Sequence, residues 1–285
     1  MKKIAVVISS FSGKLNEEVI REGMFSLPLQ IQIEQEQWLE GFYTEATKHQ
    51  IVDHFINATD YNTSLPPLAL ILEQMEELAT TYEQVLYLPL DSQLSATCDT
   101  LKNYAKKYPN VTVFNNHLNG SALFHVGRKC KQLYEEANEP MSAIVRYLEK
   151  FNDNTIGYII PRELKTFIKS GRLKGIKKTL LTSINLSLMI EVGHLLKKAG
   201  IARTKKSAVN KVIARILDFM RDKQLQITDV DFTLNYAYNE EIAALITGAL
   251  AQEGIQLTYR EESSIATLMH TGYGAAYIGI NPKIK

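Results

Sequence analysis

KIAVVIS, residues 3–9, is a short unbroken apolar run ending in serine. A run of that length with no polar alternation suits a strand covered on both faces, as in a parallel sheet. The polar triplet Asn16-Glu17-Glu18 follows it and opens a helix. Moving outward, Leu27, Leu29, Ile31 and Ile33 alternate and predict a second strand. Helical spacing follows over residues 44–57 and again from Pro67, where Leu68, Ile71, Leu72, Met75 and Leu78 share one face. QVLYLP (84–89) reads as a strand, 95–107 as a helix and 111–114 as a strand, and a further helix runs to about residue 137. Strands alternating with helices predict a Rossmann-like, mostly parallel sheet with helices on both faces over residues 1–150.

Breaks at Glu139-Pro140 and Asn152-Asp153-Asn154 put a domain boundary near residue 150. Beyond it, 155–160 reads as a strand leading to a basic helix from Arg162, and 185–192 as another strand. Residues 208–220 form an amphipathic helical pattern, 231–236 a strand, 240–252 a helix, and a glycine-rich strand region closes the chain. The expected architecture is therefore a two-domain α/β protein with a C-terminal α/β domain over 151–285. A length of 285 residues agrees with two cores.

Composition narrows the classes of function. Lysine and arginine total 32 against 31 acids, so no overall field points to nucleic acid as a partner. The exception is local: residues 162–178 hold seven cations (Arg162, Lys165, Lys169, Arg172, Lys174, Lys177, Lys178) and the single acid Glu163. Such a face suits something anionic, a protein partner or transiently a membrane surface. Cys98 and Cys130 are too few for a disulfide framework, and a reducing compartment is the simplest reading. The apolar part of MKKIAVVISS is shorter than a signal sequence requires, and no run reaches the roughly 20 apolar residues of a membrane span, so a cytoplasmic protein is expected.

Two segments fall where α/β sheets place ligands, past strand ends and before helices: Asn62-Thr63-Ser64-Leu65-Pro66 and Asp91-Ser92-Gln93-Leu94-Ser95. Hydroxyls and helix-start N–H groups favour an anion there, and the same residues are ordinary N-caps. SGRLKG (170–175) interrupts the basic helix. Gly171 suits a left-handed C-cap, which leaves either a solvated cationic tail or Arg172 projecting from a loop. HTGYGAAYIGI (270–280) sets His270 and Thr271 beside Gly272 and Gly274, whose lack of a side chain permits close backbone approach to a ligand. No Ser/His/Asp order, metal-ligand spacing, dinucleotide fingerprint or P-loop is present, so neither a catalytic residue nor a metal or cofactor is expected.

In chain order, these segments resemble the DegV family, bacterial fatty-acid-binding proteins that present an acyl chain to a fatty acid kinase. KIAVVISS is similar to the opening strand and Asp-Ser-Thr loop, NTSLPP to the Thr-Thr-Ser-x-Pro loop, and DSQLSAT to the Ser-Ser-Gly-Leu-Ser-Gly-Thr loop. LKTFIKSGRLKG resembles the Leu-x-x-Leu-x-x-Gly-Gly-Arg-Ile segment, ARTKKSA the Arg-Thr-x-x-Lys-Ala segment, and HTGYGA the His-x-Gly-x-Gly segment. The resemblance implies a fatty acid buried between two domains, with Thr63, Ser92 and Ser95 at its carboxylate and His270 and Thr271 nearby. It puts Arg172 and Arg203 at the head group or the kinase-facing surface. The chain departs from the pattern at Ser9, Phe11, Asn62, Asp91, Gln93, Ala96 and Asn116. Asp91 stands where serine is usual, and its side chain is expected to turn away and cap the following helix. The implied function is a non-enzymatic carrier of a long-chain fatty acid. Its rivals are an enzyme acting on a small phosphorylated or carboxylated metabolite, with His270 as acid or base, and a diverged lipid-binding module without a kinase.

Overall fold

The computed structural model describes residues 2–118, 120–162, 166, 186–193 and 196–284. The chain separates into two compact units, Met1–Lys150 with Ser264–Ala266, and Phe151–Ser263 with Thr267–Lys285.

The opening apolar run forms β1 (Lys2–Ser9), buried from Ile4 onward. After α1 (Asn16–Arg21), β2 (Phe25–Leu27) pairs parallel to β1 on one side. β3 (Gln30–Ile33), β4 (Glu36–Leu39), α2 (Glu45–Asn57), β5 (Tyr61–Ser64) and α3 (Leu68–Thr81) come next. β6 (Tyr82–Leu88) then pairs parallel to β1 on its other side. α4 (Thr97–Ala105) leads to β7 (Val111–Val113), which extends the parallel sheet to the order β2-β1-β6-β7.

Alternate residues of the strands meet different helices. Ala5, Val7, Val85 and Tyr87 pack with Ile71, Met75 and Leu78 of α3 and Leu101 of α4. Burial of each large side chain in that layer contributes roughly 1.5–3 kcal/mol. On the opposite face lies α5 (Ser121–Glu135), held close by Gly127, where a methyl group would come within 2.8 Å of Ile8 Cγ2. The expected parallel sheet with helices on both faces is borne out.

The expected single strand over residues 27–33 is corrected. Proline at 28 lacks an N–H and cannot continue a ladder, so β2 stops at Leu27. β3 joins a separate antiparallel sheet of order β4-β3-β5, with Ile31 and Ile33 fully buried. Asn62 to Ser64, expected in a loop, form part of β5 instead, with Thr63 opposite Ile31.

α6 (Met141–Asp153) lies between the two sequence breaks and carries buried Ile144, Leu148 and Phe151 at helical spacing. In the second unit, β8 (Ile156–Ile160), β9 (Ser187–Val192) and β10 (Lys197–Ala202) precede α7 (Lys205–Asp222). β11 (Val230–Tyr236), α8 (Glu240–Gln252), β12 (Tyr259–Glu262), α9 (Ile265–Thr271) and β13 (Ala276–Pro282) complete the chain. The strands form one sheet of order β10-β9-β8-β13-β11-β12, antiparallel except between β11 and β12. Its core joins Val209, Val212 and Ile216 of α7 and Ile242, Ile246 and Leu250 of α8 to Phe232, Leu234, Ile278 and Ile280. On the other face Tyr277 lies across Gly157 and Gly279, which are directly paired on β8 and β13, and a side chain at either glycine would collide with its ring. Among the described residues, no helix is long and apolar enough to cross a membrane.

Candidate functional site

In the first unit the chain runs from β1 outward to β2, then crosses to β6 and β7 on the other side. The strand order therefore reverses between β1 and β6, and ligands of open parallel sheets bind outside the strand ends at such a point. The segments after β1, β6 and β7 all lie at that edge.

After β1 the chain turns through Ser10–Ser12 with three serines engaged in its backbone. Ser9 Oγ accepts from Phe11 N–H at 3.3 Å, Ser10 Oγ from Leu29 N–H at 2.9 Å and Ser12 Oγ from Lys14 N–H at 3.3 Å. Gly13, with φ 80°, closes the turn in the left-handed region that glycine adopts without strain.

After β6 the buried Asp91 organises the next turn. Its carbonyl accepts from Leu94 and Ser95 N–H, and its Oδ1 accepts from Gln93 N–H at 2.8 Å. Its Oδ2 meets His117 Nδ1 at 2.6 Å. This corrects the expectation that Asp91 caps the next helix: the N-cap of α4 is Ala96, and the carboxylate is engaged within its own turn and with the loop after β7. Ser95 does the work at the helix start, with Oγ accepting from Thr97 N–H at 3.2 Å and lying 2.8 Å from Thr97 Oγ1. Ser92 N–H donates to Asn115 Oδ1 at 2.9 Å. The fully buried Asn116 donates to Pro89 C=O at 2.7 Å and accepts from Leu118 N–H at 3.0 Å. Burial pushes the neighbouring Cys98 thiol up, opposed by Lys102 and reinforced by Asp99 and Asp91, so it is poorly suited to act as a nucleophile.

No local sequence pattern marks Glu40. It is 2% exposed and belongs to the first unit, as do Ser264–Ala266. Its Oε2 accepts from Ala266 N–H at 2.7 Å, and its Oε1 accepts from Ile265 N–H at 3.3 Å and from the Tyr43 hydroxyl. Burial raises its carboxyl above the ordinary range, against the pull of Tyr43, the two N–H groups and Lys48. It thus holds the N–H groups of Ile265 and Ala266, which belong to the same unit, from a distant part of the chain.

In the second unit His270 and Thr271 end α9. The Thr271 hydroxyl donates to Thr267 C=O at 2.7 Å, so in this arrangement its proton is turned onto its own helix. Gly272 (φ 88°) and Gly274 (φ 78°) need the left-handed region for the turn itself, with Gly272 N–H returning to Leu268 C=O and Gly274 N–H to Ala237 C=O. Around Gly274 an added methyl group would meet only ordinary contacts, at 3.5 Å from Asn239 and 3.6 Å from Arg162, so its dihedral explains the glycine without a ligand. Arg203 is exposed, next to Thr204, whose hydroxyl caps α7 by accepting from Ser207 N–H. A cleft of about 460 Å³ follows along Thr204, Lys206, Ser207, Asn210, Lys211 and Ala214. Lys205 has its ammonium pushed below the usual lysine range, by burial first and then by Arg162, with Glu241 opposing. Gly171 and Arg172 lie outside the described residues.

A two-unit α/β protein with polar loops gathered at the switch point of its parallel sheet defines the class. The chain matches the family model described as "Uncharacterised protein, DegV family" over residues 3–283, and it belongs to the DegV family. It is 24% identical to a DegV domain-containing protein of Mycoplasma genitalium, covering 98% of this chain and 98% of that one. Among solved structures it is similar to a fatty acid binding DegV family protein from Streptococcus agalactiae, with TM-score 0.86, 19% identity, and coverage of 99% of this chain and 100% of that one. A DegV family protein from Thermus thermophilus, described by its fatty acid binding, gives TM-score 0.83 at 20% identity over 99% and 100% of the two chains. These likenesses establish the fold.

Proposed function

We propose that this protein is a carrier that binds one long-chain fatty acid and presents its carboxylate to a separate fatty acid kinase. The observation that carries the reading is the end-to-end likeness to DegV proteins described as fatty-acid-binding, joined to the hydroxyl- and N–H-rich edge at the sheet's switch point. In this reading Thr63, Ser92 and Ser95 hold the carboxylate, with His270 and Thr271 nearby, and Gly272 and Gly274 shape the turn beside them. Arg172 and Arg203 face the head group or the kinase. The basic segment over 162–178 makes transient contact with anionic membranes during loading, and the protein works in the cytoplasm without metal or cofactor.

The energetics favour such a carrier. Each buried methylene contributes roughly 0.8 kcal/mol, so about fourteen give on the order of 11 kcal/mol before ordering costs. That term is blind to the head group, which leaves the polar loops to set orientation and leaves the carboxylate for chemistry done by a partner. Denaturing extraction of the purified protein followed by mass spectrometry tests the reading and should release a fatty acid. Mixing the loaded protein with kinase and ATP should then yield acyl phosphate. An empty protein that also fails to take up added fatty acid would refute it.

A further inference from the structure

Asp91 and His117 follow neighbouring parallel strands, β6 and β7, and their side chains meet at 2.6 Å with the carboxylate 6% and the imidazole 12% exposed. A carboxylate oxygen only accepts, so Nδ1 of the ring donates. Asp91 Oδ1 takes Gln93 N–H, so both oxygens of this acid are engaged. Asn115, two residues before His117, takes Ser92 N–H on its side-chain oxygen. One loop therefore grips two consecutive residues of the other, at the acid and at the adjacent serine. Among the described residues, Asp91 also acts on the Cys98 thiol at the start of α4, which Asp99 and Lys102 influence as well.

The arrangement poses an electrostatic problem that it also answers. A buried carboxylate next to Ser92 opposes any anion held there, because like charges brought together away from water cost several kcal/mol. A donor placed on that carboxylate offsets the cost and keeps its oxygens turned into the protein. We infer that His117 is a positioning residue for the head-group loop: by donating to Asp91 it compensates the acid and orients the 91–95 turn so that Ser92 can face a ligand carboxylate. The inference rests on the fatty-acid reading above. It extends that reading to a residue that would touch Asp91 rather than the ligand.

The test compares hexadecanoic acid with hexadecanol, an equally long chain without the charge, by displacement of a fluorescent fatty acid from the full-length protein. Wild type should prefer the acid. His117→Gln should lose roughly tenfold or more in affinity for the acid while the alcohol changes less than about twofold. In Asp91→Asn, which removes the charge rather than its partner, the preference for the acid should be kept or rise. The double variant Asp91→Asn/His117→Gln should return to within about threefold of wild type, and with Asp91→Asn it decides the matter if His117→Gln does not fold. Equal losses for acid and alcohol in His117→Gln would mean a merely structural role and overturn the inference. So would an unchanged acid-to-alcohol ratio in that variant, or a fall in the ratio in Asp91→Asn. A wild-type protein that binds neither probe would overturn the fatty-acid reading and this inference with it, whereas the preceding outcomes overturn the inference alone.

Discussion

Glu40→Ala should cost about 3 kcal/mol of stability, although the residue is a buried acid whose removal also relieves a burial penalty. The carboxylate is 2% exposed and accepts the N–H groups of Ala266 and Ile265 at 2.7 and 3.3 Å. Truncation strands both donors at the start of α9, at about 1–3 kcal/mol each, and also removes the acceptor for the Tyr43 hydroxyl. Against this stands the relief from burying an ionised group, which brings the net to about 3 kcal/mol. At roughly 2–4 °C per kcal/mol, the melting temperature should fall by about 6–12 °C. Glu40→Gln keeps one acceptor and should lose about 1 kcal/mol. The two variants also differ from wild type in pH dependence. Burial holds the folded carboxyl above its unfolded value, so the native state binds the proton more tightly. Stability from this group is therefore fully present below about pH 4.3 and is lost as pH rises through the raised folded value, a slope that Glu40→Gln lacks. Calorimetric unfolding over a pH series measures both effects. A Glu40→Ala transition within about 2 °C of wild type would refute the capping argument. A flat difference between wild type and Glu40→Gln across about pH 4 to 7 would refute the argument from burial.

Two predictions concern the basic residues. Arg203→Glu and Arg172→Glu should each reduce kinase-dependent acyl phosphate formation by roughly tenfold while fatty acid affinity moves less than about twofold, because a charge at a partner surface acts on docking and apolar burial acts on retention. Equal losses in the two assays would put these arginines in the ligand site. The seven cations of residues 162–178 should bind phosphatidylglycerol vesicles at low ionic strength and release them as salt approaches about 0.5 M. Co-sedimentation that does not respond to salt would remove the membrane contact.

What could be read from the sequence follows from where each element takes its pattern. β1 and β6 are legible as short apolar runs of strand length, and β11 and α8 because their apolar residues repeat at the period of the element they form. β4 and β12, with the segments EQWL and YREE, offer no such repeat. Each is an edge strand, where only one flank must be covered and polar residues are tolerated. β10 was hidden by Gly200 at its register shift, and α9 by its length of seven residues. The opposite error at residues 27–33 arose from a sound alternation that Pro28 divides between two sheets.

The candidate site follows the same division. The segment at residues 91–95 is visible in the sequence because turn and cap residues announce themselves locally, and the same local pattern gives Asp91 the look of a cap. Its partner is 26 positions away on the loop after β7, and the backbone donors held by Glu40 are 225 and 226 positions away. Neither separation leaves a periodic trace. His117 reaches Asp91 because β7 lies against β6, and Ser9 to Ser12 share that edge because β1 lies on the other side of β6. Strand order thus selects which polar loops meet, while the sequence pattern specifies only that each loop is polar. Under the proposed carrier reading, an acid at position 91 beside a bound anion needs a donor to offset it, and the loop after β7 brings His117 to that place.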